Sequence, residues 1–317
     1  MPIPPSALAP FRLAPWFRTR PWGFHDLTPW FDFRTEGEPI GEVWLTGEMC
    51  PAETGPLQGK TLAEITRQHG ASLLGSMAEK DFPLLIKILF PKDKLSVQVH
   101  PDDALAQKFG EPRGKTECWY ALDAASGASV ALGIRPGTTK EQVEHAIADH
   151  TLESLLAMVP VAKGDMIFVD AGTVHAIGPG AILLETQQTS DLTYRMYDYG
   201  SARELHLEKA MAAMQLKTRA GKVPAQKADN HCILIEEQYF HIERWPVTAE
   251  TAASIARPAA GVQMLFVQTG RIRIAGDGFE SFLVEQNQLA IIPAGAVHWT
   301  FASEGPAELI RIVPAWN

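Results

Sequence analysis

Four side chains of types that bind metal ions occur in three short motifs of the sequence. Gln98 and His100 stand two positions apart in a run of alternating polar and apolar residues, Lys94-Leu-Ser-Val-Gln-Val-His-Pro-Asp-Asp103. Such alternation predicts a half-buried strand that turns both side chains to its polar face. Glu117 ends the segment Gly-Lys-Thr-Glu, and His175 ends the segment Ala-Gly-Thr-Val-His. Together they make a plausible nitrogen and oxygen donor set for a divalent ion, and the imidazole and carboxylate ligands suit zinc.

Further residues of interest share these motifs. Lys115 stands two residues before Glu117, so a regular strand places both side chains on one side. A lysine beside a cationic site is expected to have a lowered pKa, which makes Lys115 a candidate for proton transfer. Ser96 shares the polar face of the first motif and is a candidate donor to a phosphate group. Cys118 follows Glu117 directly and is expected to point the opposite way, into the core.

The elements that must position these side chains are mostly short strands. Runs of β-forming residues separated by glycine and proline turns predict a mainly β fold of the sandwich or barrel type. Short helices are also predicted, two of them beginning at the patterns Thr61-Leu-Ala-Glu64 and Thr138-Thr-Lys-Glu141, and others over residues 152–158 and 205–214. Residues 1–35 are rich in proline and tryptophan. We expect them to form an irregular arm lying on the core, because disordered tails are poor in aromatic residues.

An internal repeat indicates two related halves. Residues 164–175 (Gly-Asp-Met-Ile-Phe-Val-Asp-Ala-Gly-Thr-Val-His) are similar to residues 287–298 (Asn-Gln-Leu-Ala-Ile-Ile-Pro-Ala-Gly-Ala-Val-His). Both resemble the second motif of the cupin fold, a small double-sheet jelly-roll barrel. We therefore predict two cupin-type jelly-roll barrels, with short helices and the irregular N-terminal arm.

The predicted division of the chain follows from this repeat. A metal-bearing barrel, with the arm and the helices, is expected over residues 1–215, and a polar linker without periodicity over residues 216–230. A second cupin-like barrel is expected over residues 231–317. His298 has no His-x-His motif before it, so this second barrel is predicted to hold no metal, since a lone histidine cannot supply three protein ligands.

Composition and charge exclude some classes of partner. The 317 residues are 46% hydrophobic and 21% charged, with a net charge of −9. This charge disfavours nucleic acid, whose phosphates require a basic surface, but a few local cations can still bind a small anion. Three widely spaced cysteines form no CxxC motif, and we find neither a signal-like apolar segment nor a run of roughly 18 apolar residues. We therefore expect a cytoplasmic protein with no membrane partner.

Several segments, taken with the metal-type residues, resemble the type I mannose-6-phosphate isomerases (phosphomannose isomerases) of the cupin superfamily, in their short bacterial form. The matching segments are Arg20-Pro-Trp-Gly23, Ile40-Gly-Glu-Val-Trp44, Pro83-Leu-Leu-Ile-Lys-Ile-Leu89, Lys115-Thr-Glu117 and Glu185-Thr-Gln-Gln-Thr-Ser-Asp-Leu-Thr-Tyr-Arg195. The resemblance implies one divalent ion per chain, taken as zinc, held by Gln98, His100, Glu117 and His175. It also implies catalytic roles for Arg195, Lys115, Glu185 and Asp191, with Ser96 as a candidate substrate contact.

The activity that this resemblance implies is the reversible conversion of mannose 6-phosphate to fructose 6-phosphate through an enediolate. The partner would be a small phosphorylated hexose. Arg195 could stabilise an anionic oxygen or hold the phosphate, since arginine stays charged at any working pH, or it could simply pair with Asp191. Three alternatives stay open: a non-catalytic sugar-phosphate-binding cupin, a cupin isomerase with another substrate, and an iron-dependent cupin oxygenase. The sequence makes no prediction of an oligomeric state.

Overall fold

The computed structural model describes residues 8–77, 81–255, 261–296 and 298–315. Strands predominate, as the sequence predicts. In the first two thirds of the chain they are β1 (Phe11–Arg12), β2 (Trp16–Phe24), β3 (Ile40–Trp44), β4 (Leu84–Leu89), β5 (Val97–Val99), β6 (Glu117–Ala124), β7 (Ser129–Ile134), β8 (Leu156–Pro160), β9 (Met166–Val169), β10 (His175–Ile177), β11 (Ala181–Gln188) and β12 (Tyr194–Tyr197). In the last third they are β13 (Gly221–Val223), β14 (Gln226–Lys227), β15 (Cys232–Glu236), β16 (Phe240–Pro246), β17 (Gln263–Thr269), β18 (Arg271–Gly276), β19 (Phe282–Glu285), β20 (Leu289–Ile292), β21 (Trp299–Ser303) and β22 (Glu308–Pro314).

The helices in these residues are short. They are α1 (Leu62–Leu74), α2 (Asp103–Lys108), α3 (Lys140–Ala148), α4 (Leu207–Ala213) and α5 (Ala249–Ile255), with 3₁₀ turns at Gly55–Leu57 and Leu152–Leu155. Both helices begin with a capping box, at Thr61 before α1 as predicted and at Thr139 before α3, one residue later than the pattern Thr138–Glu141 indicates. In each, the threonine hydroxyl and the side chain three residues later satisfy amide groups that the first helical turn leaves free. No helix among the described residues is long and apolar enough to cross a membrane.

The strands form four antiparallel sheets stacked in layers. Two seven-stranded sheets lie at the centre, in the orders β13-β9-β6-β11-β4-β3-β2 and β1-β20-β17-β22-β16-β15-β14. A large apolar cluster contains residues of both, including Ile86 and Leu184 of the first and Phe266 and Ile312 of the second. A five-stranded sheet (β12-β5-β10-β7-β8) covers the first central sheet, and a three-stranded sheet (β19-β18-β21) covers the second. We call these two pairs the first and the second sandwich.

Parts of the predicted arm and linker are regular strands. Residues 16–24 form β2 at the edge of the first sandwich, although its register with β3 shifts twice around Pro21, which has no amide hydrogen to donate. β1, further towards the N-terminus, pairs with β20 of the second sandwich. Residues 1–7 of the arm lie outside the described residues. The predicted linker, residues 216–230, contains β13, paired with β9, and β14, paired with β15. The division into domains stays a prediction.

One predicted helix is wrong. Residues 152–158 form a 3₁₀ turn followed by β8, which pairs with β7 at the edge of the five-stranded sheet. Pairing with a neighbouring strand here outweighs the local helical pattern, because strand preference depends mainly on the packing that a sheet edge offers.

Alternation along β6 directs its side chains as predicted. Glu117, Trp119 and Ala121 face the interior of the first sandwich, whereas Cys118 and Tyr120 belong to the apolar cluster shared by the two sandwiches. Cys118 is fully buried, so its predicted place in the core is confirmed.

A buried carboxylate in the second sandwich gives stability that depends on pH. Glu243 accepts hydrogen bonds from Arg311 Nη1 at 2.8 Å and Trp245 Nε1 at 2.7 Å, and His241 Nε2 lies 2.8 Å away. Burial alone would raise the pKa of Glu243, but these partners hold it at about 2. An unfolded glutamate titrates near pH 4.5, so between these values the unfolded chain binds the extra proton. Stability should therefore fall as the pH falls through this window.

We expect Glu243→Gln to remove this part of the pH dependence of stability. At pH 7 the variant should be about 1–3 kcal/mol less stable than the wild type, because a charged hydrogen-bond acceptor is lost. Between pH 5 and pH 3 the melting temperature of the wild type should fall more steeply, so the gap between the two proteins narrows. A gap that stays constant over this range would contradict the assignment.

Candidate active site

The predicted metal-type residues converge inside the first sandwich. Gln98 lies on β5 of the five-stranded sheet, directly opposite His175 on β10, and His100 follows the end of β5. Glu117 begins β6 on the facing seven-stranded sheet. Ligand atoms of His100, Glu117 and His175 all lie within 4.8 Å of one another, and all three side chains are buried. Among the described residues, this is the one such group of His, Cys, Asp and Glu side chains.

Both imidazoles are neutral and turn a lone pair towards Glu117. Burial holds the pKa of His175 at about 4 and that of His100 well below its usual value, with the nearby Lys115 charge as a further cause. His175 Nδ1 is 2.9 Å from the carbonyl of Thr173, which can only accept, so Nδ1 carries the hydrogen and Nε2 keeps its lone pair. The Nε2 atoms of His175 and His100 lie 3.4 Å and 3.8 Å from the Glu117 carboxylate oxygens.

This donor set fits a divalent metal ion. Metal ligation requires deprotonated histidines and an ionised carboxylate. Burial would raise the pKa of Glu117, but the charge of Lys115 holds it below its usual value. Two neutral imidazoles and a carboxylate therefore converge in a buried pocket, which matches the three protein ligands typical of a catalytic site.

Gln98 is placed beside this group, but its amide is turned away from ligation. Its Nε2 lies 3.2 Å from His175 Nε2, while its Oε1 accepts a weak hydrogen bond from Ser96 at 3.4 Å. Metal ligation by Gln98 would use the oxygen, so it needs the amide group turned over. Exchanging the two amide atoms requires only rotation about the last side-chain bond.

Lys115 lies between the metal-type group and a second buried carboxylate. Its Nζ is 2.8 Å from Glu117 Oε2, 3.3 Å from Glu185 Oε1 and 3.2 Å from His100 Nε2. The expectation of a lowered pKa is wrong for these protein groups. Burial would lower the pKa of Lys115, but the charges of Glu117 and Glu185 raise it above its usual value. The side chain is thus an ammonium ion shared by two carboxylates.

Glu185 lies in a cross-strand row of charged groups. It stands on β11, opposite Lys87 on β4, and Lys87 Nζ lies 3.4 Å from its Oε2. Burial and repulsion from Glu117 raise the pKa of Glu185 to about 7, against the opposing effect of Lys87 and Lys115. The carboxyl group is therefore poised to give or take a proton near neutral pH, within reach of the Lys115 ammonium.

A cleft of about 480 Å³ opens onto these groups. All nine predicted site residues lie in or next to it: the lining includes Ser96, Gln98, Lys115, Glu117, Glu185, Asp191 and Arg195, and the two histidines contact Lys115 and Glu117. Arg195 stands opposite Gln98 in the five-stranded sheet and donates from Nη1 to the carbonyl of Glu204 at 2.7 Å. Asp191 is half-exposed at the rim, 3.9 Å from Arg20.

Sequence reasoning missed other charged residues of the cleft. Lys87, Glu42, Arg20 and Arg203 also line it. Glu42 is buried and accepts from Arg20 Nη2 at 2.9 Å and from Trp44 Nε1 at 2.7 Å, with Lys87 Nζ 3.9 Å away. A signal was available, because Lys87 and Glu42 are single charges inside otherwise apolar strands, Leu-Leu-Ile-Lys-Ile-Leu and Ile-Gly-Glu-Val-Trp. Charges in central strands are rarely buried unless they are paired.

The fold and the site define a cupin-type β-sandwich protein with a buried His–Glu–His group that could bind a metal ion, at the floor of a charged cleft. Comparisons with known proteins agree on a family within this class. The family model for the catalytic domain of type I phosphomannose isomerase matches residues 7–134. Mannose-6-phosphate isomerase of Streptococcus mutans serotype c is 33% identical over 302 residues, covering 91% of this chain and 93% of that protein. The chain belongs to the type I phosphomannose isomerase family.

Other relatives match along nearly the whole chain. Mannose-6-phosphate isomerase ManA of Bacillus subtilis is 34% identical, covering 95% of this chain and 98% of that protein. A crystal structure of mannose 6-phosphate isomerase from Bacillus subtilis superposes with a TM-score of 0.82 at 29% identity, covering 96% of this chain and 100% of that one. A variant of phosphomannose isomerase from Salmonella typhimurium has a TM-score of 0.74 over 97% of this chain and 100% of its own, but only 14% identity, which shows the shared fold.

Proposed function

We propose that this protein interconverts mannose 6-phosphate and fructose 6-phosphate. The observation that carries the proposal is the grouping of His100, Glu117 and His175 beside the Lys115–Glu185 pair at the floor of the cleft. Moving a proton between two adjacent carbons of a sugar requires a group to take and return it, and a means to stabilise charge on the two sugar oxygens. The cleft offers both in one place, and the family to which the chain belongs is named for this reaction.

We assign one divalent ion, zinc, to His100, Glu117 and His175, with Gln98 joining through its oxygen once its amide is turned. When bound, such an ion supplies Lewis-acid stabilisation of the negative charge that develops on the sugar oxygens. Zinc suits the imidazole and carboxylate donors.

The chain's own residues bind the sugar phosphate and move its proton. Lys115 and Glu185 are proposed as the groups that carry the proton between C1 and C2, because their charged atoms lie 3.3 Å apart at the cleft floor. Arg195 and its neighbouring cations are proposed to bind the phosphate, whose binding energy orients the reacting end. Asp191 would orient Arg20 at the rim, and Ser96 would contact the substrate.

Isotope exchange tests the function directly. The metal-replete protein is incubated with mannose 6-phosphate in deuterated water, and we expect fructose 6-phosphate to form with deuterium at C1, the carbon that receives the proton. A chelator should stop both. Binding of the sugar phosphate without product would support a binding protein instead, and product that requires oxygen would support an oxygenase. Equal turnover of a different aldose phosphate would change the proposed substrate but not the proposed proton transfer.

We place this activity in the cytoplasm. Cys50, Cys118 and Cys232 are all free thiols, which agrees with a reducing compartment.

Arg195→Ala is expected to abolish turnover while leaving the bound metal intact. Arg195 lines the cleft and does not belong to the His–Glu–His group. Its loss therefore removes a positive charge that faces the substrate and leaves the metal ligands in place. We expect kcat/KM to fall by roughly 10²-fold or more, as for the loss of a charged contact to a buried anion. Metal analysis and steady-state kinetics check it. Loss of metal, with an unchanged rate per remaining metal, would contradict this role.

A further inference from the structure

The segment 114–116 carries Lys115 into the site, and contacts outside any β ladder hold it. All three of its residues are buried. The amide of Lys115 donates at 3.0 Å to the carbonyl of Pro101, the first residue of the turn (residues 101–103) that leads into α2. A Cβ atom added to Gly114 would lie only 2.4 Å from the backbone of that turn, so the two pieces of chain are packed directly against each other. The position of Lys115 therefore follows the position of the turn.

Asp103 locks the two pieces together. Its Oδ1 accepts hydrogen bonds from the amide of Gly114 at 2.7 Å and from Gln188 Nε2 at 3.0 Å. Gln188 in turn accepts from the amide of Thr116 at 2.9 Å through its Oε1. One carboxylate and one amide side chain thus satisfy the backbone on both sides of Lys115. Buried amides need hydrogen-bond acceptors. If an acceptor shifts, the backbone amide bonded to it shifts as well.

The second sandwich supplies the remaining contact to this carboxylate. The hydroxyl of Tyr239, in the turn between β15 and β16, donates to Asp103 Oδ2 at 2.8 Å. The Tyr239 ring packs against the apolar cluster between the sandwiches, and its carbonyl accepts from the amide of Ala315 at 3.0 Å. Burial and the bond to Asp103 raise the pKa of Tyr239, so its hydroxyl remains a donor at neutral pH. The tyrosine is a fixed anchor outside the catalytic sandwich.

We propose that Tyr239 is a positioning residue for Lys115, acting through Asp103, and that the second sandwich thereby holds the geometry of the active site in the first. The catalytic part of this inference rests on the proposed isomerase function. Reaction rates are sensitive to displacements of about 1 Å in a reacting group, so loosening the 114–116 segment should slow the chemical step more than it weakens substrate binding.

The test compares Tyr239→Phe with a matched control, Tyr120→Phe. Tyr120 also joins the two sandwiches through its hydroxyl, which lies 3.3 Å from Gln268 Nε2 and 3.4 Å from Arg244 Nη1, but it does not touch Asp103. Both variants remove one hydroxyl and keep the ring. If Tyr239 only strengthened the contact between the sandwiches, the two variants would behave alike.

Hydrogen–deuterium exchange of the metal-loaded protein reads the position of the segment without any assay of activity. We expect amide exchange at residues 114–116 to speed up roughly tenfold in Tyr239→Phe and to stay at the wild-type rate in Tyr120→Phe. In the same preparations kcat should fall roughly tenfold in Tyr239→Phe, with KM within about twofold and one metal ion per chain retained. Both variants should melt at similar temperatures.

A double variant tests whether Tyr239 acts on Lys115 through Asp103. Asp103→Asn should reproduce the faster exchange and lower kcat, and Asp103→Asn combined with Tyr239→Phe should be no slower than Asp103→Asn alone, since the two residues act in series. Unchanged exchange in Tyr239→Phe, equal kcat losses in the two tyrosine variants, or additive losses in the double variant would each overturn the inference. If the wild type forms no fructose 6-phosphate, the proposed function fails, while the exchange rates still decide whether Tyr239 holds the segment.

Discussion

Lys115→Met is expected to lower kcat by roughly 10³-fold, within the range of a lost proton-transfer group. The ammonium group lies 2.8 Å from Glu117 and 3.3 Å from Glu185, and methionine keeps most of the side-chain length without the charge. Without it, the buried carboxyl groups of Glu117 and Glu185 face each other with no ammonium ion between them. The His–Glu–His group is unchanged, so we expect one metal ion per chain to stay bound.

The same substitution should also destabilise the fold. Removing one partner from a buried ion pair typically costs about 3–5 kcal/mol, because the remaining charges lose their compensation. The kinetics must therefore be measured well below the melting temperature of the variant. Lys222→Met is the matched control, since Lys222 pairs with Asp165 at 2.7 Å on the surface and lies far less buried. It should keep wild-type kcat and nearly wild-type stability. A Lys115→Met protein with kcat within tenfold of wild type would remove Lys115 from the reaction.

Much of the site could be predicted because it depends on periodicity within single strands. Alternation alone places Gln98 on the inner face of its strand and turns Cys118 away from Glu117. Those features need no knowledge of which strands are neighbours. The resemblance to a family then added Glu185 and Arg195, whose place at the cleft agrees with the structure.

The missed features depend on which strands lie side by side. Lys87 and Glu185 are 98 positions apart in the sequence and meet only because β4 and β11 are neighbours in this register. The raised pKa of Lys115 depends in part on the same pairing of strands, because Glu185 adds its charge to that of Glu117, which the sequence already places on the same side. Likewise, part of the N-terminal arm forms β2 because it pairs with β3, and the local composition of the arm does not reveal this partner. Tyr239 carries no sequence signal at all, because its role requires both sandwiches to be packed.

The internal repeat supplies its own control for the metal assignment. His175 and His298 stand at corresponding positions of the two repeated segments. His175 is buried among the ligand atoms, whereas His298 is exposed, has a left-handed backbone with φ of 54°, and belongs to no such group among the described residues. A motif match alone would treat them alike, but the structure separates them. The prediction that only the first sandwich holds a metal ion can therefore be tested with two histidine substitutions.

We expect His175→Ala to lose its metal and His298→Ala to keep it. Elemental analysis of the purified wild type should give one zinc per chain, and the same value for His298→Ala. Removal of one ligand should weaken metal binding by roughly 100-fold or more. Even the loss of a residue that only hydrogen-bonds to a ligand typically lowers metal affinity by roughly 10–100-fold. With the metal lost, kcat should fall to below roughly 10⁻³ of the wild-type value, because the charge on the sugar oxygens is no longer stabilised.

Chelation of the wild type should have the same effect, and it needs no substitution. The chelated protein should lose activity and melt at a lower temperature, because a ligand present at about 1,000 times its Kd stabilises the native state by about 4 kcal/mol. One equivalent of zinc should restore both properties in the wild type and in His298→Ala, but not in His175→Ala. Full activity after complete removal of metal would leave Lys115 and Glu185 to act alone and would refute the metal assignment. Two ions per chain in the wild type, falling to one in His298→Ala, would place a second metal site in the second sandwich.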